Sequence, residues 1–370
     1  MIYLDNAATS RYKPFCVKKA ALKEICFSAN AGRGAHKAAI ATAMKIEECR
    51  SVIRRYFFDG QVIFTKNCTE ALNLGIFGTE PDNQIISTCY EHNSVLRPLQ
   101  KLSNEKKCSL VLLSPNSNNS IEKALISALN YPTSIFVISA MSNVTGEIIN
   151  VEKLCSIVKQ NSQAVTLVDV SQAAGHLKLN YKDIDMIAAS GHKSLHGIQG
   201  SGFLLCKNNI RLSPIIVGGT GTSGLSLTPP TDIPDGMEAG TLNSPAICAL
   251  KEGVEWTFLN FEKINRKIDR LTDALKDGLS GIDGLKIYGA NNGIVLCNFN
   301  KLSCSDLSDT LSQTYGICIR SGLHCAPLYH KLLGTAPAGA ARFSIGYNNS
   351  LTDIEKTVDA MMEISHINNV

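Results

Sequence analysis

The chain has 370 residues, of which 44% are hydrophobic and 18% charged, and its formal net charge is +4. This length supports a large buried core and more than one lobe, and the composition is that of an ordinary globular protein. The mild charge gives no argument for nucleic-acid binding. The apolar stretches are too short to span a bilayer and no signal-peptide pattern begins the chain, so a cytoplasmic location is expected.

The 13 cysteines are odd in number and scattered along the sequence. No Cys-x-x-Cys pair occurs, so the pattern predicts neither a disulfide framework nor a metal site. Most of these cysteines are expected to be small buried hydrophobic residues. A cysteine that takes part in chemistry must therefore be recognised by its neighbours.

From residue 61 onwards, short apolar runs alternate with helical segments. The predicted strands cover residues 61–64, 84–88, 110–113, 134–139, 165–170 and 184–189, and the predicted helices cover residues 69–77, 94–102, 121–129 and 151–159. This alternation predicts an α/β fold with a mostly parallel sheet flanked by helices.

The later part of the chain has a different character. Residues 218–240 are rich in glycine and proline and predict a long loop, and residues 247–276 are predicted to be largely helical. Residues 284–370 mix strands and helices, which indicates a smaller α+β lobe. We predict a large domain of residues 13–250 and a small C-terminal domain of residues 251–370. Residues 1–12 are expected to join the small domain.

The run Ser190-Gly191-His192-Lys193 directly follows the predicted strand at residues 184–189. In α/β folds, ligands bind at the carboxyl ends of parallel strands. A lysine amine held there can lose its proton by desolvation and attack a carbonyl carbon. Lys193 is therefore a candidate Schiff-base lysine, and pyridoxal 5'-phosphate (PLP) is the cofactor that it suggests.

PLP also requires a partner for its pyridine nitrogen, a group that stacks on its ring and a site for its phosphate. Asp169 ends a predicted strand and offers the carboxylate, although a helix N-cap is the other role open to it. Cys68 and Thr69 begin a predicted helix, where backbone N–H groups bind phosphate, but a capped helix start without a ligand is common. His92 suits ring stacking, while a lone histidine is more often structural.

A second cluster, residues 320–327, places Cys325 beside His324 in a proline-containing loop that begins with an arginine. This setting suits an exposed, reactive thiol, whereas burial is the general expectation for any one cysteine. Further along, Arg342 has the forked side chain that binds a carboxylate with two hydrogen bonds. A surface ion pair is the alternative role for this arginine.

Taken in order, these motifs resemble the fold-type I, class V aminotransferase-like PLP enzymes, and among them the cysteine desulfurases of the SufS/selenocysteine lyase type. The resemblance extends over nearly the whole chain, through residues 5–9, 33–36, 68–73, 91–94, 142–146, 169–172, 190–193, 238–241 and 320–327. It departs from the common pattern at Asn93, where a second histidine is frequent, and at Cys68, where a threonine is frequent.

The resemblance implies a role for each matching residue. Lys193 would carry the cofactor, Asp169 would pair with the pyridine nitrogen, Gln172 would contact the phenolic oxygen, and His92 would stack on the ring. The phosphate would be held by Cys68, Thr69, Ser190 and His192, with Thr241 supplied by the other subunit of a homodimer. The substrate carboxylate would be met by Asn143, beside the cofactor, and Arg342, with Arg320 and His36 nearby, and Cys325 would carry a persulfide.

The implied reaction converts L-cysteine to L-alanine and leaves the sulfur on Cys325. A sulfur-acceptor protein is an expected partner, because the short segment between Arg320 and Arg342 implies a compact cysteine loop. The alternatives are a selenocysteine lyase, a class V aminotransferase and a non-catalytic sulfur carrier or assembly scaffold.

Overall fold

The protein is described by a computed structural model that covers residues 1–32, 34–105, 107–114, 120–221 and 225–368. Its strands are β1 (Ile2–Tyr3), β2 (Gln61–Thr65), β3 (Gln84–Thr88), β4 (Leu110–Leu113), β5 (Thr133–Ser139), β6 (Val165–Asp169), β7 (Met186–Ser190), β8 (Gly202–Cys206), β9 (Leu285–Asn291), β10 (Ile294–Phe299), β11 (Ile317–Cys318), β12 (Arg320–Gly322) and β13 (Ala340–Ser344). Its helices are α1 (Phe15–Phe27), α2 (Lys37–Tyr56), α3 (Cys68–Gly78), α4 (Asn93–Asn104), α5 (Ile121–Ala128), α6 (Val151–Asn161), α7 (Ser244–Leu259), α8 (Phe261–Ser280), α9 (Cys304–Tyr315), α10 (Pro327–Leu332) and α11 (Leu351–Asn368).

These elements form two compact units. The larger unit comprises residues 13–140 and 150–259, and the smaller comprises residues 1–12, 141–149 and 260–370. No described helix is long and apolar enough to cross a membrane.

The larger unit is built on a seven-stranded sheet with the order β2-β8-β7-β6-β5-β3-β4. All neighbouring pairs are parallel except the two that involve β8. Every residue of β3, β7 and β8 is buried. Because successive side chains of a strand point to opposite faces, both faces of the sheet are covered. The predicted α/β fold with a mostly parallel sheet is confirmed.

The smaller unit contains a four-stranded antiparallel sheet with the order β12-β13-β10-β9. Apolar side chains from α8, α9 and α11, such as Leu275, Leu307 and Ile354, form one core with the inner residues of this sheet. Strand β1 pairs in parallel with β11, and Asp5 forms a bridge with Ser344 of β13. The first residues of the chain are thereby attached to its C-terminal part.

The structure refines one sequence expectation and adds one strand. The segment 247–276, expected to be largely helical, forms two helices, since α7 ends at Leu259 and α8 begins at Phe261. Asn260, between them, is the N-cap residue of α8 and has a φ of −107°. The sequence patterns also predict no strand at β8, whose short apolar run follows a glycine-containing turn and shows no alternation of polar and apolar residues.

Candidate active site

In the larger unit, the carboxyl ends of five strands carry the polar side chains of interest. Strands β2, β3, β5, β6 and β7 end at Thr65, Thr88, Ser139, Asp169 and Ser190. Thr65 and Ser190 are both paired with Gly202 of the reversed strand β8, so these two ends lie at the same edge. This edge is where open α/β sheets bind their ligands.

Lys193 lies in the turn that follows β7, and it is partly buried. The turn requires glycine at position 191, since a Cβ there would lie 2.3 Å from the Ser201 Oγ atom. Lys193 lies close enough to both the Cys68 thiol and the His192 ring to interact with them electrostatically. Burial lowers the pKa of His192 to about 4, and the ring is neutral at physiological pH.

Asp169, at the end of β6, is 8% exposed. Its Oδ1 atom accepts a hydrogen bond from the Ser171 backbone N–H at 2.8 Å and from the Cys68 thiol at 3.5 Å. Burial raises the pKa of Cys68 well above its usual value, so the thiol is a neutral donor to this carboxylate. A role for Cys68 toward phosphate would therefore rest on its backbone N–H at the start of α3.

Ser94 connects Thr69 with His92. The Ser94 hydroxyl lies 2.9 Å from the Thr69 Oγ1 atom and 2.8 Å from the His92 Nδ1 atom. The same ring nitrogen accepts a hydrogen bond from the Ser94 backbone N–H at 3.0 Å and so caps helix α4. His92 therefore has a structural role at this helix, and that role also fixes the orientation of its ring.

One buried hydroxyl near these strand ends, Ser190 Oγ, has no hydrogen-bond partner among the described residues. Buried polar groups are nearly always hydrogen bonded, so this hydroxyl indicates a polar ligand at this edge. Gln172 is 7% exposed, and its backbone carbonyl accepts a hydrogen bond from the Ser194 hydroxyl at 3.2 Å. The segments that follow β6 and β7 are thereby held together.

Glu91 has no predicted role, yet it is fully buried among the same strand ends. Its carboxyl oxygens accept hydrogen bonds from Thr88 Oγ1 at 2.6 Å and from Ser139 Oγ at 2.5 Å. Burial raises the pKa of Glu91 to about 7, and the nearby charge of Asp169 adds to the shift. Burial of a carboxyl group is a tertiary property, so the motif Glu91-His92 alone does not reveal it.

The raised pKa of Glu91 predicts a pH-dependent difference in stability between the wild type and a Glu91→Gln variant. A carboxyl group that titrates near 7 in the folded state and near 4.5 when unfolded favours folding below pH 4.5. That contribution is lost as the pH rises through 7, so the wild type should lose on the order of 3 kcal/mol relative to E91Q over this range. Urea unfolding of both proteins at several pH values measures the difference, and a constant difference would contradict the raised pKa.

Thr241 is exposed and follows a stretch that is firmly attached to β2. The Glu238 carboxylate receives two hydrogen bonds from the Arg50 guanidinium, at 2.9 and 2.6 Å, and one from the Phe64 backbone N–H at 2.6 Å. Gly240 has a φ of +97°, and its N–H donates to the Gly219 carbonyl at 2.8 Å. The buried Arg50–Glu238 pair therefore fixes the end of the long loop just before Thr241.

His36, the remaining predicted site residue of the larger unit, is exposed at the start of α2. Its Nδ1 atom accepts a hydrogen bond from the Ala39 backbone N–H at 3.3 Å and so caps the helix. Arg33, which belongs to the same sequence motif, lies outside the described residues, as do residues 222–224 of the predicted long loop.

In the smaller unit, Arg320 and Arg342 lie opposite each other on the antiparallel strands β12 and β13. Two guanidinium groups in this arrangement repel each other, and the Asp5 carboxylate offsets the repulsion by pairing with both. Its Oδ2 atom lies 3.3 Å from Arg320 Nε, and its Oδ1 atom accepts a hydrogen bond from Arg342 at 2.9 Å. The sequence motif that contains Asp5 gives no hint of this role, because the three residues meet only in the fold.

Arg342 is 2% exposed, so a surface ion pair is the wrong description of this arginine. A second guanidinium nitrogen donates to the Asn143 backbone carbonyl at 2.8 Å. The third nitrogen, Nε, is buried and has no hydrogen-bond partner among the described residues. A guanidinium held in this way has a donor left for an anionic ligand.

Cys325 is exposed, whereas His324 before it is 7% exposed and Ala326 after it is fully buried. The Asn143 side-chain amide donates to the His324 carbonyl at 2.8 Å, which joins the predicted substrate residue to the cysteine loop. Of the 13 cysteines, only Cys26 and Cys325 are exposed, and all 13 are free thiols. No group of three or more His, Cys, Asp or Glu side chains suited to a metal ion occurs in the described part of the chain.

The predicted site residues thus form two groups. Lys193, Asp169, Gln172, His92, Cys68, Thr69, Ser190, His192, Thr241 and His36 belong to the larger unit, and Asn143, Arg320, Arg342 and Cys325 belong to the smaller.

Comparison with known proteins identifies the family. The sequence model of the family described as "Aminotransferase class-V" matches residues 2–357. The chain belongs to the class-V aminotransferase family. This assignment confirms the enzyme family that the sequence motifs predict.

Individual relatives of this chain are named as cysteine desulfurases. The chain is 30% identical to a "Probable cysteine desulfurase" of Pyrococcus abyssi, over 98% of this chain and 94% of the relative. A protein with the same name from Methanothermobacter thermautotrophicus is 29% identical over the same shares of the two chains. The names of these relatives confirm the predicted assignment to the cysteine desulfurases.

Solved structures agree with this assignment. The apo cysteine desulfurase of Thermococcus onnurineus NA1 superimposes with a TM-score of 0.88 at 30% identity and covers 98% of this chain and 94% of its own. The cysteine desulfurase CsdA of Escherichia coli gives a TM-score of 0.86 at 26% identity, with 99% and 94% of the two chains covered. The predicted fold-type I architecture is therefore confirmed.

Proposed function

We propose that this class-V enzyme is a PLP-dependent cysteine desulfurase, which converts L-cysteine to L-alanine and retains the sulfur as a persulfide on Cys325. The observation that carries the proposal is the exposure of Cys325 in a chain that also presents Lys193 and Asp169 at the ends of parallel strands. An aminotransferase needs the lysine and the carboxylate but has no use for the thiol.

The residues of the larger unit fit PLP. Asp169 offers a buried carboxylate for the pyridine nitrogen, and the Ser190 hydroxyl, which has no partner among the described residues, offers a donor to a polar group. Thr69 at the start of α3 and the neutral His192 ring suit the phosphate. When bound, PLP supplies an electron sink that eases removal of the substrate Cα proton.

Lys193 is assigned the proton transfers at the substrate Cα atom. Its amine removes the Cα proton and later returns a proton as L-alanine forms. Asp169 would pair with the pyridine nitrogen of PLP and favour a positive charge there. His92, whose orientation is fixed by its cap on α4, supplies a flat ring surface for stacking.

The substrate carboxylate is assigned to Arg342 and Asn143. Asp5 and the Asn143 carbonyl hold the Arg342 guanidinium in place and leave its Nε atom without a partner among the described residues. A fixed guanidinium binds a carboxylate at a small entropic cost. Arg320 adds a second positive charge to this part of the smaller unit.

The sulfur transfer balances without an added oxidant or reductant. The Cys325 thiolate attacks the substrate sulfur, so an S–S bond forms while the Cβ–S bond breaks. The electron pair of the broken bond stays on Cβ and takes up a proton, which yields the methyl group of L-alanine. Both sulfur atoms are oxidised to the persulfide level and Cβ is reduced by the same two electrons.

We also propose that the enzyme acts as a homodimer in which Thr241 reaches the phosphate of the other subunit. Helix α1 exposes Phe15, Leu22, Ile25 and Phe27, and an apolar surface of this kind supports contact with another protein chain. The persulfide sulfur is then passed from Cys325 to an acceptor protein or to a small thiol. The exposure of the Cys325 side chain permits this transfer.

An alanine-release assay on the PLP-loaded enzyme tests the function. We expect L-cysteine to yield L-alanine and, with a reducing thiol present, an equal amount of sulfide. Turnover confined to L-selenocysteine would identify a selenocysteine lyase instead. Repeated amino transfer to 2-oxo acids would identify an aminotransferase, and no turnover with any of these substrates would favour a carrier or scaffold.

A further inference from the structure

A chain of buried side-chain hydrogen bonds runs through the segment that contains Cys325. The Thr335 Oγ1 atom lies 2.7 Å from His330 Nδ1, and His330 Nε2 lies 3.1 Å from His324 Nδ1. His324 Nε2 in turn lies 3.4 Å from the Arg320 backbone carbonyl oxygen. Thr335, His330 and His324 are 5%, 0% and 7% exposed. The side chains of Thr335, His330 and His324 have no role in the reaction proposed above.

Counting donors and acceptors assigns the protons of this chain. The Arg320 carbonyl only accepts, so the Nε2 atom of His324 carries a proton and its Nδ1 atom accepts. His330 therefore donates from Nε2 and accepts at Nδ1. The Thr335 hydroxyl donates to Nδ1 at 2.7 Å, and the same hydroxyl also lies 3.3 Å from the His330 backbone carbonyl oxygen. Burial lowers the pKa of His324 to about 3 and that of His330 to about 4, so both rings are neutral, as this arrangement requires.

The backbone next to this chain is strained. His324 and Cys325 have φ angles of +48° and +57°, in the left-handed region that residues with a side chain rarely adopt. This conformation is unfavourable for a residue with a side chain, so surrounding contacts must hold it there. The buried His324 ring and the bond from Asn143 to the His324 carbonyl are such contacts. Release of the ring would let this turn relax and move the Cys325 thiol.

We propose that His330 and Thr335 are positioning residues of the desulfurase, whose hydrogen bonds fix the His324 ring and thereby the left-handed turn that presents the Cys325 thiol. Neither side chain touches substrate, and both act through His324. The proposal rests on the proposed function, since it concerns the nucleophile of that reaction.

A matched pair of substitutions at Thr335 provides the kinetic test. Thr335→Val keeps the shape of the side chain but removes the hydroxyl donor, whereas Thr335→Ser keeps the hydroxyl. We expect T335V to lower kcat for L-alanine formation by about 10-fold, because a misplaced nucleophile reduces the rate of the chemical step. KM for L-cysteine and the visible absorbance of the cofactor should not change, and T335S should match the wild type.

Substitutions at His330 provide a second, independent pair. His330→Gln places an amide donor close to the position of the ring Nε2 atom and should retain most of kcat. His330→Leu removes both hydrogen bonds and should lose at least as much as T335V. Equal rates for the wild type, T335V and H330L would overturn the proposal, and so would a loss of cofactor absorbance or a raised KM that accompanies the loss of kcat.

Nitrogen NMR of the histidine rings in the cofactor-free protein tests the hydrogen-bond chain without any activity. The chain has 8 histidines, and the signals of His324 and His330 are assigned by their absence in single variants. We expect both rings to stay neutral from about pH 6 to 9, with the proton of each on Nε2. A His324 ring that titrates near its ordinary pKa would contradict the proposal. Should the wild type lack desulfurase activity, the proposed function fails while this measurement still tests the chain.

Discussion

Replacing Lys193 with alanine is expected to remove the visible absorbance of the PLP-loaded protein and to abolish alanine formation. The turn that holds Lys193 follows β7 and is fixed by Gly191, so no neighbouring residue takes its place. Loss of an acid–base group alone costs up to about 10⁴-fold in rate, and this variant also loses the covalent attachment of the cofactor. Absorbance spectra and the alanine assay measure both effects.

Lys101→Ala is the matched control, because Lys101 is an exposed lysine of α4 in the same unit. This variant should keep the absorbance and the activity of the wild type. Borohydride reduction of the wild type, followed by peptide mass spectrometry, should locate the cofactor on Lys193. Its recovery on another lysine, or a K193A variant that retains the visible band, would refute the assignment.

Replacing Cys325 with serine is expected to stop alanine formation from L-cysteine by at least about 10³-fold while the cofactor absorbance stays unchanged. A serine hydroxyl is not ionised near neutral pH and forms no S–S bond, so the attack on the substrate sulfur fails. The lysine and the carboxylate of the larger unit are untouched, which separates this effect from that of the Lys193 variant. Alanine release and intact-protein mass spectrometry, which detects the added sulfur, measure the outcome.

Cys318→Ser provides the control, since Cys318 is a partly exposed cysteine on β11 of the same unit as Cys325. It should retain full activity. With L-selenocysteine, C325S should keep a larger share of its rate, because selenium leaves more readily and depends less on a nucleophile. Full activity of C325S on L-cysteine would rule out the persulfide route.

Local sequence patterns were sufficient to predict six of the seven strands in the sheet of the larger unit. Strands β3, β5 and β6 each contain a run of two to four consecutive apolar residues, and this pattern requires no distant information. The split between α7 and α8 at Asn260 was not predictable in this way, because one asparagine does not by itself end a helix. Packing of the two helices into separate units decided it.

The same division applies to the candidate site. Lys193, Asp169 and Cys325 are recognised from sequence because each follows or ends a strand, or lies in a loop of distinctive composition. Glu91, with a pKa raised to about 7 by burial, and Asp5, which binds both Arg320 and Arg342, carry no such local mark. Their roles depend on desolvation and on contacts between residues far apart in the chain.

By itself, the sequence determined the enzyme family, six of the seven strands of the larger sheet and the residues whose chemistry suits PLP and sulfur. These features follow from residue type and short-range spacing, which the chain carries before it folds. Only the tertiary structure decided that Arg342 is buried with one donor that has no partner among the described residues, and that Thr335, His330 and His324 form one hydrogen-bonded chain. Burial and directional hydrogen bonds arise when distant segments pack together, and no local pattern specifies them.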